Sequence, residues 1–507
     1  MMDRRHFLSL AATAGSALGL PRALRGAPPF RTAESLAGLA PVGGQERRYP
    51  LRRMPDVRGE RLTLTAGTSD ADLGPGTSAA WTLNGRHPAP TIHLSRGANA
   101  QIVLENELPE PTILHWHGLD VPEAADGHPR LAIGPGESYH YDFTVRDRAG
   151  LYWYHPHTHE RTAPQTYQGM AGLLVVEDEE EASLGLPDGE HELPLILQDK
   201  RLGDGTSLAY RPSMGPDRML GYLGDTPVAN GIAHATTTVR RGRYRLRLLN
   251  ASNARIFNLG LSSGAPLTLV GTDGGLLERP IGVDRILLGT GERADVLVDF
   301  SHLEPGERVF LRSFEFRVPG MMGMGRGMMG GRGMGPGGRG RSVPPQGAAM
   351  DLLELVASDA PVEAPPEPLP ERLSTIAPPN VDGSTPRRTF RFDSRMMRHT
   401  INGRSFGMER VDLRIPRGRT EIWAIENGSA LPHPVHIHVG QFHVLSRSGG
   451  RARIMPWETG LKDTVLVFPS ERVEVAVRFE EHPGLFLMHC HNLEHEDMGM
   501  MLNFEVE

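Results

Sequence analysis

Apolar and polar residues alternate in short runs along most of the chain, and the runs are separated by Gly, Pro, Asn and Asp. In residues 61–65 (RLTLT) and 473–479 (VEVAVRF), apolar side chains occupy every second position. A period of two is that of a half-buried β-strand, whereas stretches with the 3.6-residue period of a helix are scarce. The pattern therefore predicts an all-β protein made of sandwiches or barrels.

The strand pattern also repeats at long range. A strand that ends in an Asn turn occurs at residues 103–106 (VLEN), 248–251 (LLNA) and 423–427 (WAIEN), at a spacing on the order of 150 residues, which is one domain length. A Pro-rich stretch is typical of a linker. We predict three domains and one linker, with the limits 45–183, 190–358, 359–386 (the linker) and 387–507.

Charge and the first residues bear on location and partners. The net charge of −7 over 507 residues, without a basic stripe, argues against nucleic-acid binding. Arg4 and Arg5 precede an apolar run that ends near Leu20, which is typical of a twin-arginine export signal over residues 1–28. The run is too short to span a membrane. We expect a periplasmic or secreted monomer, exported by the twin-arginine machinery, whose mature form has no membrane span.

The most informative stretch, LMHCHNLEHE, contains the only cysteine of the chain, Cys490. His495 follows Cys490 by five positions and Met500 follows it by ten. A thiolate, imidazoles and a thioether are the ligands of a blue-copper electron-transfer site. On an extended backbone Cys490 faces away from His489 and His491, so one tripeptide can join two metal sites.

Three further H-x-H pairs lie beside β-type sequence, and a period of two puts both imidazoles of each pair on one face. They are His115 and His117, His155 and His157, and His436 and His438. With His489 and His491 they give eight histidines, enough for three copper ions, while the Cys490 ligands and His433 remain for a fourth. Zinc is disfavoured because it takes about four ligands and because methionine favours copper. The pairs lie near both ends of the chain, so we predict that the cluster joins the first and third domains and that the middle domain is a spacer.

Taken together, HWHG, HPHTH, HPVHIH and HCHNLEHEDMGMM resemble the four copper signatures of the multicopper oxidases, with bacterial laccase-like and copper-efflux (cuprous) oxidases the most similar branch. The resemblance covers most of the chain and implies three cupredoxin-like Greek-key domains that hold four copper ions. It implies that Asp126 and Glu496 relay protons and that Cys490 transfers electrons. The ligand sets that it implies are His433, Cys490, His495 and Met500 for type 1 copper, His115 and His436 for type 2, and His117, His155, His157, His438, His489 and His491 for the type 3 pair.

The activity implied by this resemblance is one-electron oxidation of Cu(I), phenols or aromatic amines, coupled to the four-electron reduction of O₂ to water, with a role in copper tolerance. The alternative is a general laccase or bilirubin-oxidase-like enzyme without a part in copper homeostasis. Two other classes predict different sequences. A copper-free structural relative would have lost ligands, and a copper-storage protein needs no site for O₂.

Residues 318–341 (VPGMMGMGRGMMGGRGMGPGGRGR) form a segment rich in methionine, glycine and arginine. Thioethers select Cu(I) over harder ions, so the segment can bind substrate copper, although a flexible Gly-rich loop explains the composition as well. Copper-efflux oxidases have an acidic residue and a methionine just before the HPxHIH motif, where this chain has Ser429 and Leu431. The methionines predicted to bind substrate copper are Met321, Met322, Met324, Met328, Met329 and Met334.

Overall fold

Strands dominate the computed structural model, and the predicted all-β fold class is confirmed. The predicted export signal and the six methionines predicted to bind substrate copper lie outside the described residues. The structure describes residues 47–202, 206–318, 343–364, 367–395 and 397–507.

The first sandwich has one sheet with the strand order β4-β3-β6-β8 and a second with the order β2-β5-β10-β9-β7. Strand β1 instead pairs in parallel with a strand of the middle sandwich, with Tyr49 opposite Ala235. The strands are Tyr49–Pro50 (β1), Asp56–Arg58 (β2), Arg61–Asp72 (β3), Thr77–Leu83 (β4), Thr91–Ser95 (β5), Asn99–Asn106 (β6), Leu114–His117 (β7), Ser138–Thr144 (β8), Gly150–Pro156 (β9) and Gly172–Glu177 (β10).

The middle sandwich follows, and its strands are Glu192–Lys200 (β11), Thr226–Ala229 (β12), Ile232–Ala233 (β13), Ala235–Val239 (β14), Arg243–Asn250 (β15), Phe257–Leu261 (β16), Leu267–Thr272 (β17), Gly275–Val283 (β18), Ile286–Leu288 (β19), Arg293–Asp299 (β20), Arg308–Ser313 (β21) and Met350–Ala357 (β22). One sheet has the order β1-β14-β22-β21-β16-β19, and the other has the order β13-β12-β11-β15-β20-β17-β18.

The third sandwich is formed by Arg387–Arg395 (β23), Arg398–Ile401 (β24), Leu413–Ile415 (β25), Thr420–Asn427 (β26), His433–Ile437 (β27), His443–Ser448 (β28), Thr464–Val467 (β29), Arg472–Arg478 (β30), Gly484–Cys490 (β31) and Met501–Val506 (β32). Its sheets have the orders β24-β23-β26-β30-β28 and β25-β32-β31-β27-β29. We retain the limits 45–183, 190–358 and 387–507 as the proposed domains.

Helices are short in the described residues, and none of these helices is long and apolar enough to cross a membrane. The α-helices are Thr162–Gln168, Glu179–Ala182, Pro216–Leu220 and Leu493–Asp497, and the 3₁₀ turns are Pro129–Leu131, Gly189–His191 and Pro456–Glu458.

Burial differs between the outer and inner strands of the sandwiches. Strands β6 and β8 alternate between buried and more exposed positions, as the sequence pattern predicts. Strands β7 and β9 are buried at every position, and β31 is buried at all but its first. A strand with both faces covered loses polar alternation. The strands that carry the H-x-H pairs are therefore inside the molecule.

The Pro-rich linker contains no helix or strand in residues 359–364 and 367–386, in line with its composition. It packs along the middle sandwich. The backbone N–H of Leu373 donates to the carbonyl of Glu278 at 2.9 Å, and the Ser374 hydroxyl donates to the carbonyl of Leu277 at 2.9 Å.

Candidate metal centres

Two pairs of antiparallel strands present the H-x-H motifs to each other. In the first sandwich β7 lies beside β9, with His115 opposite His155. In the third sandwich β27 lies beside β31, with His436 opposite His489. The two rings within each H-x-H motif have centroids 4.9 to 6.1 Å apart, so both are on one face, as the period of two predicts.

The eight histidines of these motifs meet at one buried place, which we name the junction cluster. Some ring nitrogens face each other directly, with 3.1 Å between Nε2 of His438 and His489 and 3.3 Å between Nε2 of His115 and His436. Three groups of rings have one nitrogen each within 4.8 Å of the others, which is close enough to share an ion. The groups are His117, His155 and His491; His157, His438 and His489; and His115, His117 and His436.

Several nitrogens of the junction cluster have no hydrogen-bond partner although they are buried. They are Nδ1 of His117, Nε2 of His155 and both ring nitrogens of His491. Buried polar atoms without partners are rare in folded proteins, and here they converge. Burial, aided by the neighbouring rings, lowers the pKa of His491 to about 3 and lowers the pKa of His117 and His155 well below the usual range. The rings are therefore neutral and able to bind a metal.

Hydrogen bonds on the outer side fix which nitrogen each ring turns inward. Nδ1 of His115 donates to the carbonyl of Asp126 at 2.6 Å, and Nδ1 of His438 donates to the carboxylate of the same residue at 2.8 Å. Nδ1 of His436 donates to the carbonyl of Asp463 at 2.9 Å. These rings present Nε2 to the centre of the cluster, as metal-binding histidines held by outer hydrogen bonds do.

Both carboxylates predicted to relay protons contact the junction cluster. Asp126 reaches His438, as described above, and Glu496 lies with Oε2 3.2 Å from Nδ1 of His489 and Oε1 3.7 Å from Nε2 of His157. Burial by itself raises the pKa of Glu496, but the adjacent His489 outweighs it and lowers the pKa to about 2. Glu496 is therefore an ionised acceptor inside the protein.

The middle sandwich contacts the junction cluster, so its interpretation as a spacer was too limited. The Thr290 hydroxyl donates to the carbonyl of His491, and the guanidinium of Arg293 pairs with Asp463 at 2.5 Å. No motif in the sequence singles out Arg293. A buried ion pair has the same residue types as a surface pair, so the pattern could not distinguish them.

A second group, which we name the cysteine cluster, lies on the other face of β31. The Sγ atom of Cys490 is 3.3 Å from Nδ1 of His433 and 3.6 Å from Nδ1 of His495. Burial raises the pKa of the Cys490 thiol, so the thiol keeps its proton until a metal displaces it. Met500 is buried in the same core, and its backbone bonds to Cys490 and His495. One thiol and two neutral imidazoles fit a soft metal ion such as copper.

The outer edge of the cysteine cluster is covered from two sides. Nε2 of His433 is 2.8 Å from the Ser429 hydroxyl, and Nε2 of His495 donates to the carbonyl of Met219, in helix Pro216–Leu220 of the middle sandwich, at 2.9 Å. The ring of His399 stacks on His495, with centroids 4.1 Å apart. His399 is a lone histidine outside any motif, so no sequence pattern could single it out.

The described residues next to the Met-rich segment lie beside the same helix. Val318 packs with Ile256 in an apolar group that Leu220 also contacts. On the other side, the Gln346 side chain donates to the carbonyl of Ala254 at 2.8 Å. The described residues on both sides of the segment therefore lie next to the cover of the cysteine cluster.

Comparisons with known proteins agree with this arrangement. Three family models described as multicopper oxidase match residues 65–181, 211–317 and 378–507. The chain is 32% identical to a laccase of Haloferax volcanii, over 100% of this chain and 91% of that protein, and 34% identical to the cell division protein FtsP of Yersinia pestis, over 98% and 97%. The crystal structure of McoA multicopper oxidase from the hyperthermophile Aquifex aeolicus is similar, with a TM-score of 0.81 and 33% identity, and the match covers 91% of this chain and all of that one. The chain belongs to the multicopper oxidase family.

Proposed function

We propose that this protein oxidises Cu(I) or small aromatic reductants one electron at a time and passes the electrons to O₂. One observation carries the proposal. The tripeptide His489-Cys490-His491 places its central side chain in the cysteine cluster and its flanking side chains in the junction cluster. The two centres are therefore joined by a few covalent bonds within one strand.

The donor sets support a specific assignment of copper ligands. His433, Cys490, His495 and Met500 would hold type 1 copper. The junction cluster would hold the type 2 ion with His115 and His436, and the type 3 pair with His117, His155 and His491 on one side and His157, His438 and His489 on the other. When bound, these four ions supply one-electron uptake at type 1 and four-electron reduction of O₂ to water at the other three.

The protein keeps the two halves of the reaction apart. All eight rings of the junction cluster are buried, so an aromatic donor has no direct access, whereas O₂ is small enough to diffuse in. The ligands of the cysteine cluster are buried as well, but His433 bonds to the partly exposed Ser429, so we assign electron entry to this side. Reduction of O₂ to water also consumes four protons, and buried carboxylates are suited to deliver them. We assign this role to Asp126 on the His438 side and to Glu496 on the His489 side.

We infer Cu(I) as a donor, and a role in copper tolerance, from the methionine content of the segment and from the described residues on either side of it, which lie beside helix Pro216–Leu220. The residues just before the HPxHIH motif are not those expected to bind substrate copper in copper-efflux oxidases. The Ser429 hydroxyl is already bonded to His433, and Leu431 is buried. A general laccase is therefore the second candidate.

Oxygen uptake with Cu(I) and with a phenol separates these candidates. A variant with leucine at all six segment methionines keeps the segment length and apolar bulk, and a deletion of residues 321–334 provides a coarser comparison. We expect Cu(I) oxidation to fall in both variants while phenol oxidation persists. Unchanged Cu(I) oxidation would show that the segment does not collect copper and would favour a general laccase.

The same assay tests the proposal against a scaffold role, which one relative's name, cell division protein, suggests. A copper-free scaffold predicts that ligand positions are lost, yet every position is filled here. Uptake of four copper ions per chain together with oxygen consumption supports the oxidase. A purified, folded protein that binds no copper and consumes no oxygen with either donor would contradict the oxidase function.

We also propose export of the protein by the twin-arginine route to the periplasm or the outside. This route carries folded proteins, which suits a chain whose metal ligands come from distant segments. Replacing both Arg4 and Arg5 by lysine should retain the protein in the cytoplasm, as fractionation would show. Unchanged export of that variant would speak against the route.

A further inference from the structure

The guanidinium of Arg293 is bonded to all three sandwiches at once. Its Nε donates to the carbonyl of Leu151 in the first sandwich at 3.1 Å. Within the middle sandwich, it donates to the carbonyls of Gly291 at 3.0 Å and Asp273 at 2.9 Å. In the third it forms a two-pronged pair with Asp463, at 2.7 and 2.5 Å. All five N–H donors of the side chain are thus occupied.

The carboxylate that Arg293 holds contacts the junction cluster. Oδ1 of Asp463 is 3.1 Å from Nε2 of His117, and the Thr464 hydroxyl is 3.2 Å from the same nitrogen. Nε2 of His117 therefore carries the proton, and its other nitrogen, Nδ1, is buried without a partner. The ring of His117 also stacks on His436, with centroids 3.7 Å apart.

His117 therefore differs from its neighbours in the cluster. The hydrogen bonds of His115, His436 and His438 leave Nε2 pointing inward, whereas the bond to Asp463 leaves Nδ1 of His117 pointing inward. Since Nδ1 lies closer to the backbone than Nε2, the position of this ring depends more strongly on what holds its outer edge.

We propose that Arg293 is a positioning residue for the copper between His117, His155 and His491. It fixes the Asp463 carboxylate, which in turn keeps the proton of His117 on Nε2 and leaves Nδ1 free for the metal. The inference rests on the proposed function only in requiring that copper binds at this place. It gives the middle domain, which supplies no ligand, a part in building the site.

An arginine suits this place better than a lysine. A planar fork can bond both oxygens of Asp463 and still reach the other two sandwiches, whereas an ammonium is a point charge with three donors. A second buried cation, Lys462, already pairs with Asp273 at 2.9 Å and Glu292 at 3.0 Å. The cluster of charges thus has three carboxylates and two cations, and Arg293 is the one that reaches Asp463.

The substitution Arg293→Lys keeps the charge and removes the fork. We expect the copper affinity at the type 3 site to fall about 10- to 100-fold, the effect typical of losing a hydrogen bond behind a metal-binding histidine. Copper titration of the metal-free protein, followed by the near-ultraviolet absorption of the type 3 pair, measures this loss. The blue absorption of type 1 copper should be unchanged.

Arg245→Lys is a matched control. Arg245 is also buried in the middle sandwich and also holds a carboxylate with its fork, Asp295 at 2.5 to 3.0 Å, but it contacts no histidine of the cluster. We expect full type 3 binding in this variant. Equal losses in both variants would mean that any broken buried pair weakens the site, and would overturn the proposal.

If Arg293 acts through His117, the losses of copper affinity caused by substituting the two residues should not add. In a His117→Gln background, Arg293→Lys should cause no further loss of type 3 copper. If Arg293→Lys does not fold, Asp463→Asn replaces it as the test. Folded Asp463→Asn protein with weakened type 3 copper binding would support the inference. Undiminished type 3 copper binding in that variant would overturn it. Failure of the proposed function would appear differently, as wild-type protein that binds copper without consuming oxygen.

Discussion

The two metal clusters occupy opposite faces of one strand, yet they are built in different ways. The cysteine cluster draws its ligand side chains from one sandwich, and the outer nitrogens of its two rings are bonded to Ser429 and to the carbonyl of Met219. The junction cluster takes four rings from each of two sandwiches and leaves four ring nitrogens without partners, those of His117, His155 and His491. The ligands of the first cluster therefore lie within one core, whereas those of the second come together only where two domains meet, and its unpartnered nitrogens are left for a metal.

The largest effect on this difference between the clusters is expected for Cys490→Ser. Loss of the thiolate should remove type 1 copper and the blue band, and turnover should fall to background because no other group accepts the donor's electron. The junction cluster should still bind its three ions, because none of its ligands has changed. Copper analysis gives the number of ions bound, and electron paramagnetic resonance shows whether type 1 copper is lost while type 2 copper remains. Loss of all four ions would mean that the two clusters do not form independently.

Glu496→Gln should separate the clusters by kinetics. Reduction of the blue band by donor without oxygen should be unaffected, whereas reoxidation by O₂ should slow by roughly 100-fold, the usual effect of losing a group positioned for proton transfer. Stopped-flow absorption follows both steps. Glu494→Gln is the matched control, since Glu494 lies on the same short helix but bonds to Tyr210, Tyr222 and Asn253 instead of a histidine. Equal reoxidation rates in both variants would contradict the assignment.

Acid should destabilise the copper-free protein mainly through the junction cluster. Burial lowers the pKa of His491 to about 3, below the value of about 6.5 in an unfolded chain. The unfolded state therefore binds more protons between these values, so the stability is complete above pH 6.5 and is lost as the pH falls toward 3. Each such histidine contributes a slope of about 1.4 kcal/mol per pH unit.

Urea unfolding of the copper-free protein at a series of pH values measures that slope, and His491→Gln should make it shallower. A stability that does not change below pH 6.5 would mean that the rings take up protons freely and that the cluster is hydrated.

The smallest effect is expected at the edge of the cysteine cluster. Ser429→Ala removes the partner of Nε2 of His433 and should shift the type 1 potential and turnover only modestly, by a few-fold in rate, because one hydrogen bond to a ligand is lost. Ser429→Thr keeps the hydroxyl and should restore the wild-type values. Redox titration of the blue band measures the shift in potential. An equally large shift in the alanine and threonine variants would mean that side-chain packing, and not the hydrogen bond, sets the potential.

Much of this arrangement could be predicted from local sequence. The period of two placed the rings of each H-x-H motif on one face and Cys490 on the other, because strand geometry is set by neighbouring residues. The supports of those rings could not be predicted in the same way. Asp463, Arg293 and His399 act through contacts between segments far apart in the chain, and their residue types occur equally on protein surfaces.

The middle sandwich shows the same limit. It has no ligand motif, so sequence reasoning gave it no part in the site, yet Thr290 and Arg293 contact the junction cluster and Met219 covers the cysteine cluster. Its contribution is made by backbone carbonyls and buried ion pairs. Neither leaves a recognisable pattern, since every residue has a carbonyl and the chain has many arginines.

The separation of the junction-cluster ligands along the chain has a consequence for biosynthesis. His115 and His436 are 321 positions apart, and His491 lies further along the chain. The cluster can therefore form only after both of these distant segments have left the ribosome, and contacts of such high sequence separation form slowly. A chain that lacks His491, or in which the first and third sandwiches have not met, cannot bind the three ions together, so the metal content reports correct assembly of the two sandwiches.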